Sequence, residues 1–140
     1  MSTTDAAALV EQWRSVQNCY LKTSNTLDRE LASHFGIGLN DFETLDLLAE
    51  YGDAECRMKD LTQVSPMTQS ALSKIVDRLE KAGYVHRSAC SDDRRSLVVG
   101  LTDAGAQLHE DAAKVHREVL QSSLAPALPT GDDQPARVHP

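Results

Sequence analysis

The sequence predicts a mainly α-helical fold with one small β-hairpin, and three observations support this fold class. Apolar residues recur every three or four positions near both ends of the chain, which is the spacing of a helix face. Short helical segments and then a strand–turn–strand pattern fill the middle. The chain has 140 residues, enough for one domain, and 41% of them are hydrophobic, which suffices for a packed core.

The first element is a long helix. From Leu9 to Phe35 the apolar residues follow one another at steps of three, four or seven, and no Gly or Pro interrupts them before Gly36. This pattern predicts a helix of roughly 30 residues, about 45 Å long at 1.5 Å per residue. Its apolar stripe is longer than so small a domain can bury, so we expect a second copy of the chain to cover part of it.

The second and third helices are shorter. Asn40 is a suitable N-cap and Glu43 stands at the capping-box position, so the second helix is predicted to start there. The third helix is predicted over residues 58–64, with Leu61 pointing inward. It ends before Pro66, because proline disfavours helix in the preceding residue.

A fourth helix and a hairpin follow. The helix starts at Ser65 or at Thr68, since either residue can cap it, and Gly83 ends it as a left-handed cap. Strand-like runs at 84–88 and 97–101 flank a polar turn, which indicates a hairpin. The apolar stripe of the fourth helix, which we expect to be buried, consists of Leu72, Ile75, Val76 and Leu79.

The last helix begins at Thr102, a suitable N-cap, and carries apolar residues at helical steps from Leu108 to Leu124. Residues 126–140 contain four prolines and few apolar residues, so this tail is expected to be disordered. The net charge is −7, yet residues 57–95 carry 8 basic and 5 acidic side chains. This middle segment is therefore the part of the chain that can face a polyanion.

Two short helices joined by a tight turn and followed by a hairpin describe a winged helix-turn-helix, whose second helix lies in the major groove of DNA. The exposed face of the fourth helix carries short hydrogen-bonding groups and cations, which can pair with base edges and with phosphates. The candidate residues for this recognition helix are Thr68, Gln69, Ser70, Ser73, Lys74 and Arg78, the last being better placed for phosphates.

The turn of the hairpin carries Asp93, Arg94 and Arg95. An arginine on a narrow projection can enter the minor groove of DNA, and a neighbouring carboxylate can orient its guanidinium. An alternative hypothesis is a winged-helix module that binds protein rather than DNA, which would not need a basic tip.

These elements divide the chain into four segments. Residues 1–56 contain the N-terminal dimerisation helix and the second helix, and residues 57–101 form the winged helix-turn-helix DNA-binding unit. Residues 102–125 form the C-terminal dimerisation helix, and residues 126–140 form the tail.

Three runs of residues resemble the MarR family of bacterial transcription regulators: LSKIVDRLEKAGYV at 72–85, DRRS at 93–96 and LTDAG at 101–105. The resemblance covers roughly residues 9–124. It implies a homodimer whose terminal helices interleave and whose two winged units read a pseudo-palindrome in double-stranded DNA. By resemblance, Arg95 is the minor-groove residue and Asp93 its orienting partner. Pro126 and Pro129 depart from the family pattern, in which a further helix completes the dimer interface.

The resemblance also implies regulation by a signal, of which two kinds are open. Many family members are repressors released by small aromatic acids or phenols, and the candidate pocket residues here are Trp13, Arg14, Tyr20 and Phe42. Arg14 would pair with a carboxylate of the ligand. The alternative is that the three aromatic residues belong to the hydrophobic core and bind no ligand. Other members sense peroxides through a cysteine in the first helix. Cys19 lies in that helix, although at a different position, and Cys90 is expected to be exposed at the base of the wing.

No enzyme, cofactor or metal site is predicted, because the sequence has no HExxH, GxSxG or paired CxxC motif and no Gly-rich phosphate loop. His109 and His116 are expected on the surface, about 10 Å apart along a helix axis, too far apart for one zinc ion. No apolar run approaches the roughly 20 residues that cross a bilayer, and no signal peptide precedes the first helix. We therefore expect a cytoplasmic protein without a membrane partner.

Overall fold

The computed structural model describes residues 2–90, 92 and 95–124. It confirms the mainly helical fold with a small hairpin, and Asp93, Arg94 and the predicted tail lie outside the described residues. The elements in chain order are α1 (Thr3–Phe35), α2 (Leu39–Tyr51), β1 (Cys56–Arg57), α3 (Met58–Val64), α4 (Gln69–Lys81), β2 (Val85–Ala89), β3 (Leu97–Leu101) and α5 (Asp103–Leu124).

Helix α1 has 33 residues and stops at Gly36, which adopts a left-handed conformation with φ of 68°. Its buried residues, Thr23, Leu27 and Leu31, lie in its C-terminal half. Residues 2–18 are all exposed. The large apolar side chains of α1 left exposed are Leu9, Val10, Trp13, Val16, Tyr20 and Leu21.

The predicted start of the second helix, with Asn40 as its cap, was wrong by two residues. Helix α2 begins at Leu39, directly after the glycine turn, with Gly38 as N-cap. The carboxylate of Asp41, not of Glu43, accepts the Gly38 N–H at 2.9 Å. Asp28 of α1 accepts the Leu39 N–H at 2.8 Å, so a residue eleven positions earlier satisfies an orphan donor of this helix start.

The helix-turn-helix follows the sequence prediction closely. Helix α3 spans the predicted residues, and Leu61 is fully buried. Of the two candidate caps for α4, Thr68 is the one used, because its hydroxyl accepts the Ala71 N–H at 3.1 Å. Helix α4 ends as predicted. Gly83 has φ of 86°, and the Tyr84 N–H donates to the Leu79 carbonyl at 2.9 Å. The whole predicted stripe of α4 is buried.

The hairpin is part of a three-stranded antiparallel sheet in the order β1-β3-β2. Val85 pairs with Leu101 at one end of β2, and Ala89 pairs with Leu97 at the other. Strand β1, in which Cys56 pairs with Val99, has only two residues, too few to give an alternation signal in the sequence.

Helix α5 returns across α1 and α2 and so joins the winged unit to the long N-terminal helix. Thr102 caps it as predicted, because its hydroxyl accepts the Gly105 N–H at 3.0 Å. The same hydroxyl donates to the Gly83 carbonyl at 2.6 Å and thereby joins the start of α5 to the end of α4. Within the part of the chain that the structure describes, no helix is long and apolar enough to span a membrane.

Candidate nucleic-acid interface and ligand cavity

Helix α4 has one buried apolar face and one exposed polar face. Opposite the buried stripe, Thr68, Gln69, Ser70 and Lys74 are exposed and Ser73 is half-buried. Four of these residues line one shallow depression of ≈ 590 Å³: Gln69, Ser70, Ser73 and Lys74. The predicted recognition residues therefore form one continuous hydrogen-bonding surface that other parts of the fold leave uncovered.

Arg78, which was expected to be better placed for phosphates, is also engaged within the fold. Its guanidinium donates to the carboxylate of Asp41, a buried residue at the start of α2. The pair joins two helices across 37 residues of sequence, a contact that local periodicity does not reveal. The rest of the Arg78 side chain stays exposed, so the residue also remains on the outer surface of α4.

Sequence reasoning missed Arg87, which attaches the hairpin to the recognition helix. Its Nε and Nη2 donate to Glu80 at 3.2 and 2.9 Å, and Nη2 also donates to Asp77. The hydrogen bond from Arg87 holds the pKa of Glu80 below its ordinary value, and the same bonds raise the pKa of Arg87. The signal available in the sequence was two carboxylates three residues apart on one helix, facing a cation on the next strand.

The wing is described in part. Asp92 and Arg95 are exposed at the turn between β2 and β3, whereas the predicted partners Asp93 and Arg94 lie outside the described residues. Arg95 thus stands at the end of the hairpin that Arg87 fixes to α4.

A larger cavity of ≈ 740 Å³ lies between α1, α2 and α5, and we refer to it as the α1–α2–α5 cavity. Tyr20 lines it, as the pocket hypothesis expected, but Trp13 and Arg14 do not. Phe42 does not line it either, because its ring is fully buried behind the wall. The lining residues are Gln12, Ser15, Val16, Cys19, Tyr20, Thr23, Ser24, Leu27, Leu39, Asn40, Glu43, Pro66, His116, Leu120 and Leu124.

Behind this cavity, two histidines of α5 enclose the ring of Phe42. The centroid of His116 lies 4.6 Å from that of Phe42, and the centroid of His109 lies 5.6 Å from it. The prediction that both histidines are on the surface was wrong, since His116 is buried and His109 is half-buried. Their seven-residue spacing places both on the face of α5 that packs against α2.

Asp46 of α2 is the main polar anchor of this packing. Its carboxylate lies 2.6 Å from Nε2 of His109 and accepts a hydrogen bond from Arg117 at 2.9 Å. Burial raises the pKa of Asp46, but the hydrogen bonds from Arg117 and His109 outweigh burial and leave the pKa below its ordinary value. The carboxylate therefore stays ionised and ties α5 to α2.

The three cysteines lie in different surroundings. Cys90 was expected to be exposed, but it is buried and its thiol donates to Glu55 at 3.5 Å. Cys56 is also buried, and burial raises the pKa of its thiol. Cys19 is half-buried in the cavity wall, 4.0 Å from the hydroxyl of Thr23. Among the described residues, no three His, Cys, Asp or Glu side chains are grouped so that they could hold a metal ion.

Comparison with known proteins shows similarity to one family. The sequence model of the MarR family matches residues 37–97. The regulator PecS of Dickeya dadantii (strain 3937) is 26% identical over 137 residues, covering 87% of this chain and 82% of that protein. The MarR family regulator AbsC of Streptomyces coelicolor superimposes with a TM-score of 0.80 and 29% identity, covering 94% of this chain and 86% of AbsC. Sco3205 from the same organism, solved in complex with DNA, has the same TM-score and identity and covers 92% of this chain and 79% of its own.

Proposed function

The chain belongs to the MarR family of DNA-binding transcriptional regulators, and from that premise we propose that it represses transcription as a homodimer on a pseudo-palindromic operator. A small molecule in the α1–α2–α5 cavity is proposed to release the operator. The polar face of α4 reads base edges in this scheme, and the wing reaches the minor groove through Arg95. Asp93 and Arg94 complete the proposed wing contacts.

The observation that carries the proposal is the uncovered apolar surface of α1. Trp13 and Tyr20 are 59% and 68% exposed, and Leu9 is 49% exposed. These three residues lie within about three turns of one helix. Contiguous apolar surface of this kind favours association, because its removal from water stabilises a complex by about 25 cal/mol per Å². To read two half-sites one turn of DNA apart, the proposed dimer would hold its two α4 helices about 34 Å apart.

A small-molecule signal is favoured over thiol oxidation by the surroundings of the cysteines. Cys56 and Cys90 are buried, which limits access of an oxidant to their sulfur atoms. The thiol alternative therefore depends on Cys19, which lines the cavity itself. The cavity volume falls within the range of about 300–1,000 Å³ that is common for small-molecule sites.

Selection of bound fragments from genomic DNA by the purified chain tests the proposal. We expect enrichment of one pseudo-palindrome, bound by two chains, as measured by sequencing and then by mass of the complex. Affinity should fall on the order of 10³-fold or more between 50 and 200 mM salt if about six phosphates are contacted. Failure to enrich any sequence, or one chain per enriched site, would contradict the homodimeric operator.

Arg95→Ala should weaken operator binding by about 5- to 100-fold, because the wing loses its minor-groove cation. Fluorescence anisotropy with a labelled operator measures the affinity, and circular dichroism checks that the helix content is unchanged. Lys114→Ala is the matched control, since it removes an exposed cation of α5 that lies far along the chain from the winged unit. If Arg95→Ala binds the operator like the control, the wing serves another partner, and the protein-binding alternative gains support.

A further inference from the structure

The α1–α2–α5 cavity has a one-sided charge. Its acidic and basic lining residues are Glu43 of α2 and His116 of α5, and no Lys or Arg stands among the described residues that line it. Arg14, which the sequence suggested as a partner for a carboxylate ligand, is not part of the wall. The remaining wall is made of leucine, valine and proline side chains and the Tyr20 ring, with hydroxyl, amide and thiol groups between them.

The two ring nitrogens of His116 face different neighbours. The Arg117 guanidinium lies 2.8 Å from Nδ1, and an arginine can only donate, so Nδ1 accepts this hydrogen bond. The other nitrogen, Nε2, lies 3.4 Å from the Glu43 carboxylate. No Lys or Arg side chain of the cavity wall faces this carboxylate.

The nearest arginine is also engaged elsewhere. Arg117, which does not line the cavity, pairs with Asp46 at 2.9 Å, so its charge is matched by a different carboxylate. The Glu43 side chain is 40% exposed and stands beside apolar surface. A carboxylate in this position attracts a cation and repels an anion that would have to leave water to enter.

Resting on the proposed function, whose ligand site it specifies, we propose that the α1–α2–α5 cavity binds an amphiphilic organic cation with Glu43 as its counter-ion. The ligand class is a protonated amine on an apolar skeleton. The skeleton packs against Leu27, Leu39 and Leu120, and the ammonium donates to the Glu43 carboxylate. Tyr20 supplies an aromatic ring to the cavity wall, which is a further attraction for a cation.

Three probes with one naphthalene skeleton and different head groups test the charge preference: 2-(1-naphthyl)ethylamine, 2-(1-naphthyl)ethanol and 1-naphthylacetate. Isothermal titration of the full-length chain without DNA measures each affinity. We expect the amine to bind on the order of 10-fold more tightly than the acid, with the alcohol between them. Equal or tighter binding of the acid overturns the proposal, as does absence of binding by the amine at millimolar concentration.

Glu43→Gln tests the assigned counter-ion, because it keeps the shape of the side chain and removes the charge. The variant should bind amine and alcohol within about twofold of each other, while its affinity for the alcohol stays near that of the wild type. Glu50→Gln is the matched control, an exposed carboxylate on the same helix that does not line the cavity, and it should keep the wild-type preference. An amine preference that persists in Glu43→Gln overturns the assignment.

Operator binding of the ligand-free chain is measured separately, so the two proposals can fail independently. A chain that binds no operator contradicts the proposed function whichever probe binds. A chain that binds its operator and prefers the acid probe contradicts only the cationic ligand. The wild-type comparison of the three probes stands even if a variant folds poorly.

Discussion

Phe42→Ala is expected to destabilise the folded chain by about 3–5 kcal/mol. Phe42 is the largest fully buried side chain among the described residues. Its ring lies between the rings of His109 and His116, and the Arg117 guanidinium lies 5.7 Å from its centroid. Removing the ring leaves a void between α2 and α5 and takes away the surface on which three α5 side chains rest. Urea unfolding followed by circular dichroism, at one fixed protein concentration, measures the loss.

Phe42→Leu is the control for this prediction, because it keeps most of the apolar volume while removing the aromatic stack. It should lie between the wild type and Phe42→Ala in free energy of unfolding. A loss below about 1 kcal/mol in Phe42→Ala would mean that α2 and α5 close over the void, and the rigid packing described above would then be wrong.

Gly105→Ala is expected to cost about 3 kcal/mol, because the first turn of α5 lies against the backbone of Tyr84. A Cβ atom on Gly105 would stand 1.9 Å from the Tyr84 carbonyl oxygen and 2.8 Å from its carbon. Backbone atoms cannot rotate aside, so α5 must move away from the start of β2. This movement would also strain the hydrogen bond between Thr102 and Gly83.

Gly100→Ala is the comparison that isolates the backbone contact, and urea unfolding measures both variants. A Cβ atom on Gly100 would approach the imidazole of His86 at 2.9 Å, but that exposed side chain can move. Its cost should therefore be clearly smaller than that of Gly105→Ala. If Gly105→Ala and the wild type have the same free energy of unfolding, α5 can shift away from Tyr84 without loss of stability, and this prediction is wrong.

The parts of the fold that could be predicted are those whose signal is local. The buried stripe of α4, the Thr102 cap and the hairpin each depend on residues within a few positions of one another. The cap of α2 was misplaced because Asn40 is a good capping residue, whereas the helix starts directly after the glycine turn, with Gly38 as N-cap and Asp41 accepting its N–H. Strand β1 gave no signal because a two-residue strand has no period.

The candidate site was predicted in part for the same physical reason. Helical periodicity identified the polar face of α4, since residues three or four positions apart lie on the same face of a helix. It could not show that Arg78 meets Asp41, or that Phe42 is enclosed by His109 and His116, because these contacts join distant parts of the chain. Aromatic residues on α1 and α2 were therefore grouped into one pocket although the fold separates them.

The uncovered N-terminal part of α1 has a consequence for the lifetime of the protein. A helical segment of about 20 residues whose side chains are mostly exposed has little stability of its own in water. In the proposed homodimer this segment is ordered only while the second chain is present, so a dissociated subunit offers proteases an apolar, frayed N-terminus. Subunits that have lost their partner would then be degraded first, and the cellular supply of regulator would follow the fraction of chains that are paired.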